Sequence, residues 1–209
     1  MHRPDARPGR GAPENRLPTR FGLATREADG DWLDAREEID DGAPPLRTTI
    51  TVETPRTIIT RNSSPDIGFD RSINPYRGCE HGCIYCFARP THAFHDLSPG
   101  LDFETKLFAK PDAAKLLRAE LATPGYRVAN MAIGTNTDPY QPIESKWRIM
   151  RSIVEVLAET RHPLMITTKS DRVVRDIDLL APMAALGIAG VAMSVTSLTP
   201  AISRTLEPR

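Results

Sequence analysis

Short apolar runs alternate with amphipathic stretches from residue 73 onward in this chain of 209 residues. The runs that predict strands are Phe103–Phe108, Met131–Gly134, Leu164–Thr168 and Ile188–Val195. The stretches with helical periodicity between them are Asp112–Leu121, Ser145–Thr160 and Arg172–Leu186. Strands that alternate with helices indicate βαβ units and a parallel sheet, so the predicted fold class is α/β. Ligands of such sheets bind beyond the carboxyl ends of the strands, and we expect the chemistry there.

The second helical stretch shows its periodicity most clearly. Trp147, Met150, Ile153, Val154 and Leu157 recur at spacings of three and four residues and form one apolar stripe. Such a stripe is typical of a helix face that packs in the core.

The amino-terminal part of the chain differs in composition. Residues 1–45 carry six prolines among many charges and few large apolar side chains, which predicts a disordered tail or, as an alternative, an arm that docks a partner. Residues 46–71 include the β-branched run Thr48–Thr60, interrupted by Pro55, and predict a lead-in of edge strands or a hairpin. The remainder, 72–209, is the predicted core domain.

Charge and hydropathy narrow the class of protein. Lys plus Arg and Asp plus Glu number 27 each, so no overall field favours nucleic acid or an acidic membrane surface. No apolar run reaches the ~18 residues that span a bilayer. The amino terminus lacks the apolar region of a signal peptide, which predicts a cytoplasmic protein whose thiols stay reduced.

The segment INPYRGCEHGCIYCFARP contains every cysteine of the chain. Cys79, Cys83 and Cys86 have the spacing C-x3-C-x2-C. A closed zinc site needs four ligands, and a histidine could supply the fourth. The candidates are His81, His92 and His95. A redox dithiol is a further alternative, but it leaves the third cysteine unexplained.

Three thiolates serve a different purpose in a [4Fe–4S] cluster. Such clusters ordinarily use four cysteine ligands, so three leave one iron open to an exogenous ligand. Gly78 and Gly82 are consistent with a backbone that wraps closely around a compact group, although they could equally be turn glycines.

This cysteine spacing, with the aromatic Tyr85 directly before the last cysteine, resembles the signature of the radical S-adenosylmethionine superfamily, and most closely its spore photoproduct lyase-like branch. The resemblance covers residue 72 to the carboxyl terminus. It implies a partial (β/α)6 TIM-like barrel in which the amino and carboxylate groups of S-adenosylmethionine chelate the open iron. Because the chain stops soon after the predicted strand at Val191–Ser194, we expect a barrel truncated at its carboxyl terminus.

The resemblance also implies contacts to S-adenosylmethionine. The superfamily usually places a Gly-Gly-Glu-like segment that binds the cofactor amine at this point, whereas this chain has the run AIGTNTDPYQPIE. The polar side chains of the run could bind the amine, or the run could simply form a turn at Asp138-Pro139. A lysine and a serine hold the carboxylate in the lyase branch, and Tyr85 contacts the adenine. The implied cofactor-binding residues are Tyr85, Thr135, Asn136, Thr137, Asp138, Lys169 and Ser194.

A member of this superfamily cleaves S-adenosylmethionine reductively, with an electron from a flavodoxin or ferredoxin, to a 5′-deoxyadenosyl radical that abstracts hydrogen from substrate. The lyase returns hydrogen from a cysteine, but the comparable position here is Thr135, and all three cysteines serve the cluster. Nucleic acid is therefore possible but not favoured as the substrate. The substrate and the catalytic residues stay unassigned. Tyr140 is expected close to the site, where it could face substrate. Two alternatives remain: a zinc-binding interaction module, and a non-catalytic iron–sulfur electron carrier or sensor.

Overall fold

Two β-sheets and the helices that flank them make up residues 9–16 and 47–208, the part of the chain that this computed structural model describes. The strands are β1 (Thr49–Val52), β2 (Ile59–Arg61), β3 (Arg71–Ile73), β4 (Tyr76–Arg77), β5 (Lys106–Ala109), β6 (Met131–Ile133), β7 (Leu164–Thr168) and β8 (Ala189–Met193). The α-helices are α1 (Leu101–Thr105), α2 (Ala113–Leu121), α3 (Glu144–Trp147), α4 (Ile149–Glu159), α5 (Ile177–Ala185) and α6 (Pro200–Leu206). Two 3-10 helices cover Arg89–His95 and Asp171–Asp176.

The larger sheet has the strand order β2-β3-β6-β7-β8. Strands β3, β6, β7 and β8 run parallel, and β2 is antiparallel to β3 at one edge. Ile73, Ile133 and Ile166 lie opposite one another across three neighbouring strands and are buried, which forms one apolar layer of the core. The predicted α/β class with a parallel sheet is therefore confirmed, while the described strands form an open sheet and no closed barrel.

The smaller sheet has the order β1-β5-β4, so β1 and β2 are each an edge strand of a different sheet; this confirms the edge strands predicted for residues 46–71 and shows that the alternative hairpin is wrong. Strand β1 pairs in parallel with β5, whereas β2 pairs with β3 in the other sheet. The predicted strand at Phe103–Phe108 is also wrong in its first half, which forms the end of α1. Phe103 is buried and its carbonyl accepts a hydrogen bond from the Cys79 N–H (2.9 Å), so tertiary contacts override the β-propensity of this short run.

The helices follow the predicted stretches with one break. Residues 145–160 form two helices, separated at Arg148, whose φ of 51° lies in the left-handed region. The Glu144 side chain accepts the N–H of Met150 (3.1 Å) and so caps the first turn of α4. The predicted helix at Asp112–Leu121 is confirmed as α2, and the third predicted helix begins as a 3-10 turn before α5.

The apolar stripe of α4 lies in the core, as predicted. Met150, Ile153, Val154 and Leu157 are fully buried, and Trp147 packs against the same cluster. Helix α4 contacts α2 on one side and α5 on the other. Burying a side chain of this size contributes about 1.5–3 kcal/mol, so the stripe fixes α4 against the sheet.

A buried polar network joins α3 to the segments on either side of the larger sheet. The fully buried Glu144 accepts hydrogen bonds from the hydroxyl of Tyr76 and from Arg175 (2.6 Å). Arg175 also pairs with the buried Asp176 (2.9 Å), which accepts the hydroxyl proton of Tyr140 (2.9 Å). Burial and the neighbouring carboxylates raise the pKa of both tyrosines. Tyr140 is fully buried and its hydroxyl donates to Asp176, so this side chain supports the scaffold, and a position near substrate stays a prediction.

The described part of the predicted tail is ordered against the core. Most of the predicted disordered tail falls on residues 1–8 and 17–46, which lie outside the described residues. Residues 9–16 contact the segment 98–104, which composition alone did not predict. No helix in the described ranges is long and apolar enough to cross a membrane.

Candidate metal and cofactor site

The three cysteines lie in a loop that leaves β4 and crosses the carboxyl ends of the parallel strands. The loop turns at Gly78, whose φ is +71° and where a Cβ would lie 2.8 Å from the Phe103 carbonyl oxygen. The Cys79 N–H donates to that same carbonyl, and the Cys86 N–H donates to the Cys83 carbonyl (3.3 Å). Glycine is needed at 78 because both the left-handed backbone and the close approach exclude a side chain.

The loop forms one wall of a pocket of about 220 Å³. Cys79, Cys83 and Cys86 all line this pocket, together with Tyr85 and Phe87. The remaining lining includes residues at or just beyond the carboxyl ends of β6, β7 and β8. These are Gly134, Asn136, Thr137, Asp138, Thr167, Thr168, Lys169 and Ser194. Residues from the carboxyl edge of the sheet and the three cysteines therefore share one pocket.

All three cysteines are free thiols. Cys79 and Cys83 are buried, and Cys86 is half-buried. Burial raises the pKa of Cys83 to about 11, and burial together with the charge of Asp138 raises the pKa of Cys79 further. In the described residues, no three His, Cys, Asp or Glu side chains converge closely enough to hold one metal ion.

Two of the three histidines considered as zinc ligands lie away from the pocket. The ring of His92 is fully buried, with Nε2 2.9 Å from the Lys106 carbonyl oxygen, and His95 stacks on Phe108 at 4.4 Å between ring centroids. Only His81 lines the pocket, and its Nε2 lies 3.5 Å from Asp138. Of the three candidate histidines, His81 is therefore the one that shares the pocket with the cysteines.

Asp138 organises the floor of the pocket. Its carboxylate accepts hydrogen bonds from the Thr168 hydroxyl (2.7 Å), the Lys169 N–H (2.7 Å) and the Tyr140 N–H (2.8 Å). These bonds tie the loop after β6 to the end of β7. Most of the accepting capacity of Asp138 is used by the protein, so its main contribution to the pocket is a fixed negative charge.

The neighbouring predicted residues have different environments. The Thr137 hydroxyl donates to the Tyr76 carbonyl (2.9 Å), so this side chain anchors the loop. Thr135 accepts a hydrogen bond from the Asn74 amide (3.2 Å) and is outside the pocket lining. Asn136 lines the pocket while its backbone N–H donates to Asn74 (3.1 Å). Of the predicted polar run, Asn136, Thr137 and Asp138 line the pocket.

Asn74 is a residue that the sequence reasoning missed. It directly follows β3, and its side chain fixes the loop after β6 through Thr135 and Asn136. Its carbonyl accepts a hydrogen bond from the buried ammonium of Lys110 (2.9 Å). The signal was available, because a polar residue directly after a buried strand is the same pattern that singled out Lys169.

Lys169 and Ser194 lie side by side directly after β7 and β8. The Lys169 ammonium donates to the Ser194 hydroxyl (3.0 Å) and to the Tyr85 hydroxyl (2.8 Å). It also forms an ion pair with Glu207 (2.5 Å), whose carboxylate accepts hydrogen bonds from Tyr85 and Thr196. Burial opposes the charge of Lys169, but these bonds outweigh it and raise its pKa.

The Glu207 contact was not predicted. It places a carboxylate of the chain itself against the one ammonium group that lines the described pocket. Burial opposes the charge of Glu207 as well, yet the bonds from Lys169, Thr196 and Tyr85 lower its pKa. Lys169, Tyr85 and Thr196 thus together hold the carboxylate of Glu207.

Comparison with known proteins identifies relatives over about two thirds of the chain. The chain is 43% identical over 139 residues to uncharacterized protein Rv2578c of Mycobacterium tuberculosis and to uncharacterized protein Mb2609c of Mycobacterium bovis, which covers 66% of this chain and 41% of each relative. It is 26% identical over 136 residues to uncharacterized protein MJ0683 of Methanocaldococcus jannaschii, which covers 65% of this chain and 48% of that protein. The chain thus spans less than half the length of these relatives. No family model and no solved structure matches it.

Proposed function

We propose that this chain carries the cluster- and cofactor-binding part of a radical S-adenosylmethionine enzyme. One observation carries the proposal: the three cysteines of the C-x3-C-x2-C loop line the same pocket as the polar residues that follow parallel strands β6, β7 and β8. The partial (β/α)6 barrel that the resemblance implies belongs to the proposal as well, since the open parallel sheet is compatible with an arc of such a barrel.

The chemistry of the donor set fits a [4Fe–4S] cluster. Three free cysteine thiols line one pocket. Three cysteine ligands would hold such a cluster and leave one of its irons open to an exogenous ligand. Cys79, Cys83 and Cys86 are therefore the residues that would hold the cluster. The bound cations would stabilise thiolates whose formation burial otherwise opposes.

The residues that hold the Glu207 carboxylate, called here the carboxylate subsite, support binding of S-adenosylmethionine, which carries a carboxylate and an ammonium at one end. The Lys169 ammonium and the Ser194 hydroxyl would hold that carboxylate in the subsite that Glu207 reaches here. Tyr85, half exposed beside the same subsite, would contact the remainder of the molecule.

The loop after β6 would bind the ammonium end. Asn136 and Thr137 line the pocket, and Asp138 holds a negative charge beside them. Asp138 also keeps the loop against β7, so it would act by charge and by positioning rather than by a direct bond alone. Thr135 would belong to the support of this loop through Asn74.

When bound, the cluster and S-adenosylmethionine supply one-electron reductive cleavage of the sulfonium. The protein's own part would be to hold the cluster with the cysteine loop and to orient the cofactor with Lys169, Ser194 and the loop after β6. An external electron donor such as a flavodoxin or ferredoxin is part of the proposal. The substrate and the activity of a longer protein are left unassigned.

Anaerobic reconstitution of the chain with iron and sulfide tests the proposal. We expect a brown protein with about four irons per chain, a change in its electron paramagnetic resonance spectrum on addition of S-adenosylmethionine, and formation of 5′-deoxyadenosine with dithionite. Cys83→Ala is expected to lose the iron, whereas Ser194→Ala is expected to keep the iron and weaken cofactor binding.

The same experiment separates the other functions. One tightly bound zinc per chain, no colour and no cleavage product would replace the proposal by a zinc-binding module. A reducible cluster whose spectrum does not respond to S-adenosylmethionine would indicate an electron carrier or sensor.

A further inference from the structure

The segment 9–16, called here the clasp, lies along the segment 98–104 and reaches the cysteine loop. The N–H groups of Gly11 and Ala12 donate to the two oxygens of the Glu104 carboxylate (3.0 and 2.9 Å). Farther along, the side-chain amide of Asn15 donates to the Asp102 carboxylate (2.9 Å), and the side-chain oxygen of Asn15 accepts from the Asp102 N–H (2.8 Å). The clasp is thus held by a regular set of polar contacts rather than by a single bond.

Glu104 connects the clasp to the cysteine loop. Its side chain is fully buried, and it forms an ion pair with Arg89 (2.6 Å). Arg89 in turn donates two hydrogen bonds to the Cys83 carbonyl, from Nε (3.2 Å) and from Nη2 (3.0 Å). Charge-assisted bonds of this kind hold their geometry better than neutral ones, so the position of Cys83 is coupled through Arg89 and Glu104 to the clasp.

A second contact is steric. A Cβ on Gly11 would lie 1.6 Å from the Gly82 carbonyl oxygen, so the clasp backbone lies directly on the backbone of the loop. Gly82 is the residue before Cys83 and has a φ of +65°. Any side chain at 11 must therefore separate the clasp from the loop.

A third contact reaches the loop near Cys79. Arg10 donates to the Glu104 carbonyl (2.6 Å) and to the Thr48 hydroxyl (3.1 Å). The Thr48 hydroxyl donates to the carboxylate of Glu80 (2.6 Å). The clasp therefore acts on the loop beside two of the three cysteines.

We propose that residues 9–16 are a positioning segment that fixes the spacing of the cysteines for cluster binding, acting through Glu104 and Arg89 and touching neither cluster nor cofactor. The inference rests on the proposed function for its purpose, while the mechanical coupling of clasp and loop stands without it. Release of the clasp removes two of the donors that hold Glu104 and so loosens the Glu104–Arg89 pair that positions the Cys83 carbonyl, from which we expect a more accessible Cys83 thiol.

The test compares Gly11→Ala with Glu14→Ala in the full chain. Gly11→Ala introduces the clash with Gly82, whereas the Glu14 side chain is exposed and its removal leaves the backbone contacts of the clasp unchanged. The first readout is the alkylation rate of Cys83 in the metal-free protein, followed by peptide mass spectrometry. We expect Gly11→Ala to accelerate it about tenfold and Glu14→Ala to leave it unchanged.

The second readout is iron retention and the electron paramagnetic resonance line shape after reconstitution. We expect Gly11→Ala to lose iron on gel filtration and to broaden the signal. Asn15→Ala removes the reciprocal pair with Asp102 and provides a milder variant in case Gly11→Ala fails to fold; it is expected to shift alkylation in the same direction. Circular dichroism shows whether the sheet is intact in each variant.

The outcomes separate the two proposals. Unchanged Cys83 alkylation and unchanged iron retention in folded Gly11→Ala and Asn15→Ala would overturn the role of the clasp even if the wild type binds a cluster. Faster alkylation in both variants would support it even if the wild type binds no cluster, an outcome that would sink only the proposed function.

Discussion

Replacement of Glu144 by glutamine is expected to destabilise the protein far more than replacement of an exposed glutamate on a neighbouring turn. Glu144 is fully buried and accepts bonds from Tyr76, from Arg175 (2.6 Å) and from the Met150 N–H (3.1 Å). A glutamine has nearly the same size, so no cavity forms. Arg175 donates to one oxygen of Glu144, whereas Tyr76 and the Met150 N–H donate to the other. An amide group in the first position would face the guanidinium donor, and in the second position it could donate to the Tyr76 oxygen but could not accept from the Met150 N–H.

The magnitude follows from the contacts that are lost. A hydrogen bond to a charged group contributes about 1.5–3 kcal/mol, so Glu144→Gln should lower the free energy of unfolding by about 2 kcal/mol. Glu144→Ala leaves Arg175 with Asp176 and the backbone carbonyl of residue 144 and removes the cap of α4, for which about 4 kcal/mol is expected. For a chain of this length, a loss of about 2 kcal/mol lowers the midpoint of thermal unfolding by about 4 to 8 °C.

Urea unfolding followed by circular dichroism measures the effect directly. The matched control is Glu155→Gln, since this side chain is 46% exposed and pairs with Arg151 at 3.0 Å across one helical turn. Such a pair contributes about 0.5 kcal/mol or less. If Glu144→Gln shifted the urea midpoint no more than Glu155→Gln, the buried network would not hold the pocket floor, and the reasoning would be refuted.

Three further expectations concern the pocket and its support. Gly134 has a φ of +87°, and a Cβ there would lie 2.1 Å from a carbonyl oxygen of β7, so Gly134→Ala should lower the free energy of unfolding in urea by about 3 kcal/mol. The control Gly187→Ala has a φ of +72° but open space around it and should cost about 1 kcal/mol, so equal losses would contradict the steric argument. Burial lowers the pKa of Lys110 to about 8, so between about pH 8 and 10.4 the unfolded chain binds more protons. The free energy of unfolding should therefore rise with pH there by up to about 1.4 kcal/mol per unit relative to Lys110→Met, and parallel pH curves would argue against the buried ammonium. Under the proposed function, Glu207→Gln should tighten S-adenosylmethionine binding about fivefold, whereas Lys169→Met should weaken it. Equilibrium dialysis of the reconstituted protein measures both affinities, and weaker binding by Glu207→Gln would count against a carboxylate subsite.

The regular elements were largely legible from the sequence because their patterns are local. The stripe on α4 and the run of β7 follow from periods of about 3.6 and 2 residues, and both lie where they were predicted. The break at Arg148 and the helical start at Phe103 were not legible. The break depends on the left-handed backbone of Arg148, which residue propensities do not favour. The helical start at Phe103 depends on its contact with Cys79, a residue distant in the chain.

Most residues of the candidate site could be identified from the sequence, although their arrangement could not. The cysteine spacing and the polar residues after β6 and β7 could be read along the chain, since each lies in a short local pattern. Asn74 could have been found by the same rule. Glu207 and the clasp could not, because they reach the site from far along the sequence and carry no spacing signal.

The sequence by itself determined the alternation of strands and helices, the apolar faces that build the core and the identity of the three thiols. These depend on the period of each element and on residue chemistry, which are properties of neighbouring positions. Only the tertiary structure decided that the thiols and the ends of β6, β7 and β8 share one pocket. It also decided that Tyr140 and Thr137 serve the scaffold, and that Glu104 couples the residues 9–16 to the cysteine loop. The reason is physical: a hydrogen bond is specific to geometry, and the geometry between distant segments is set by the packing of the whole sheet.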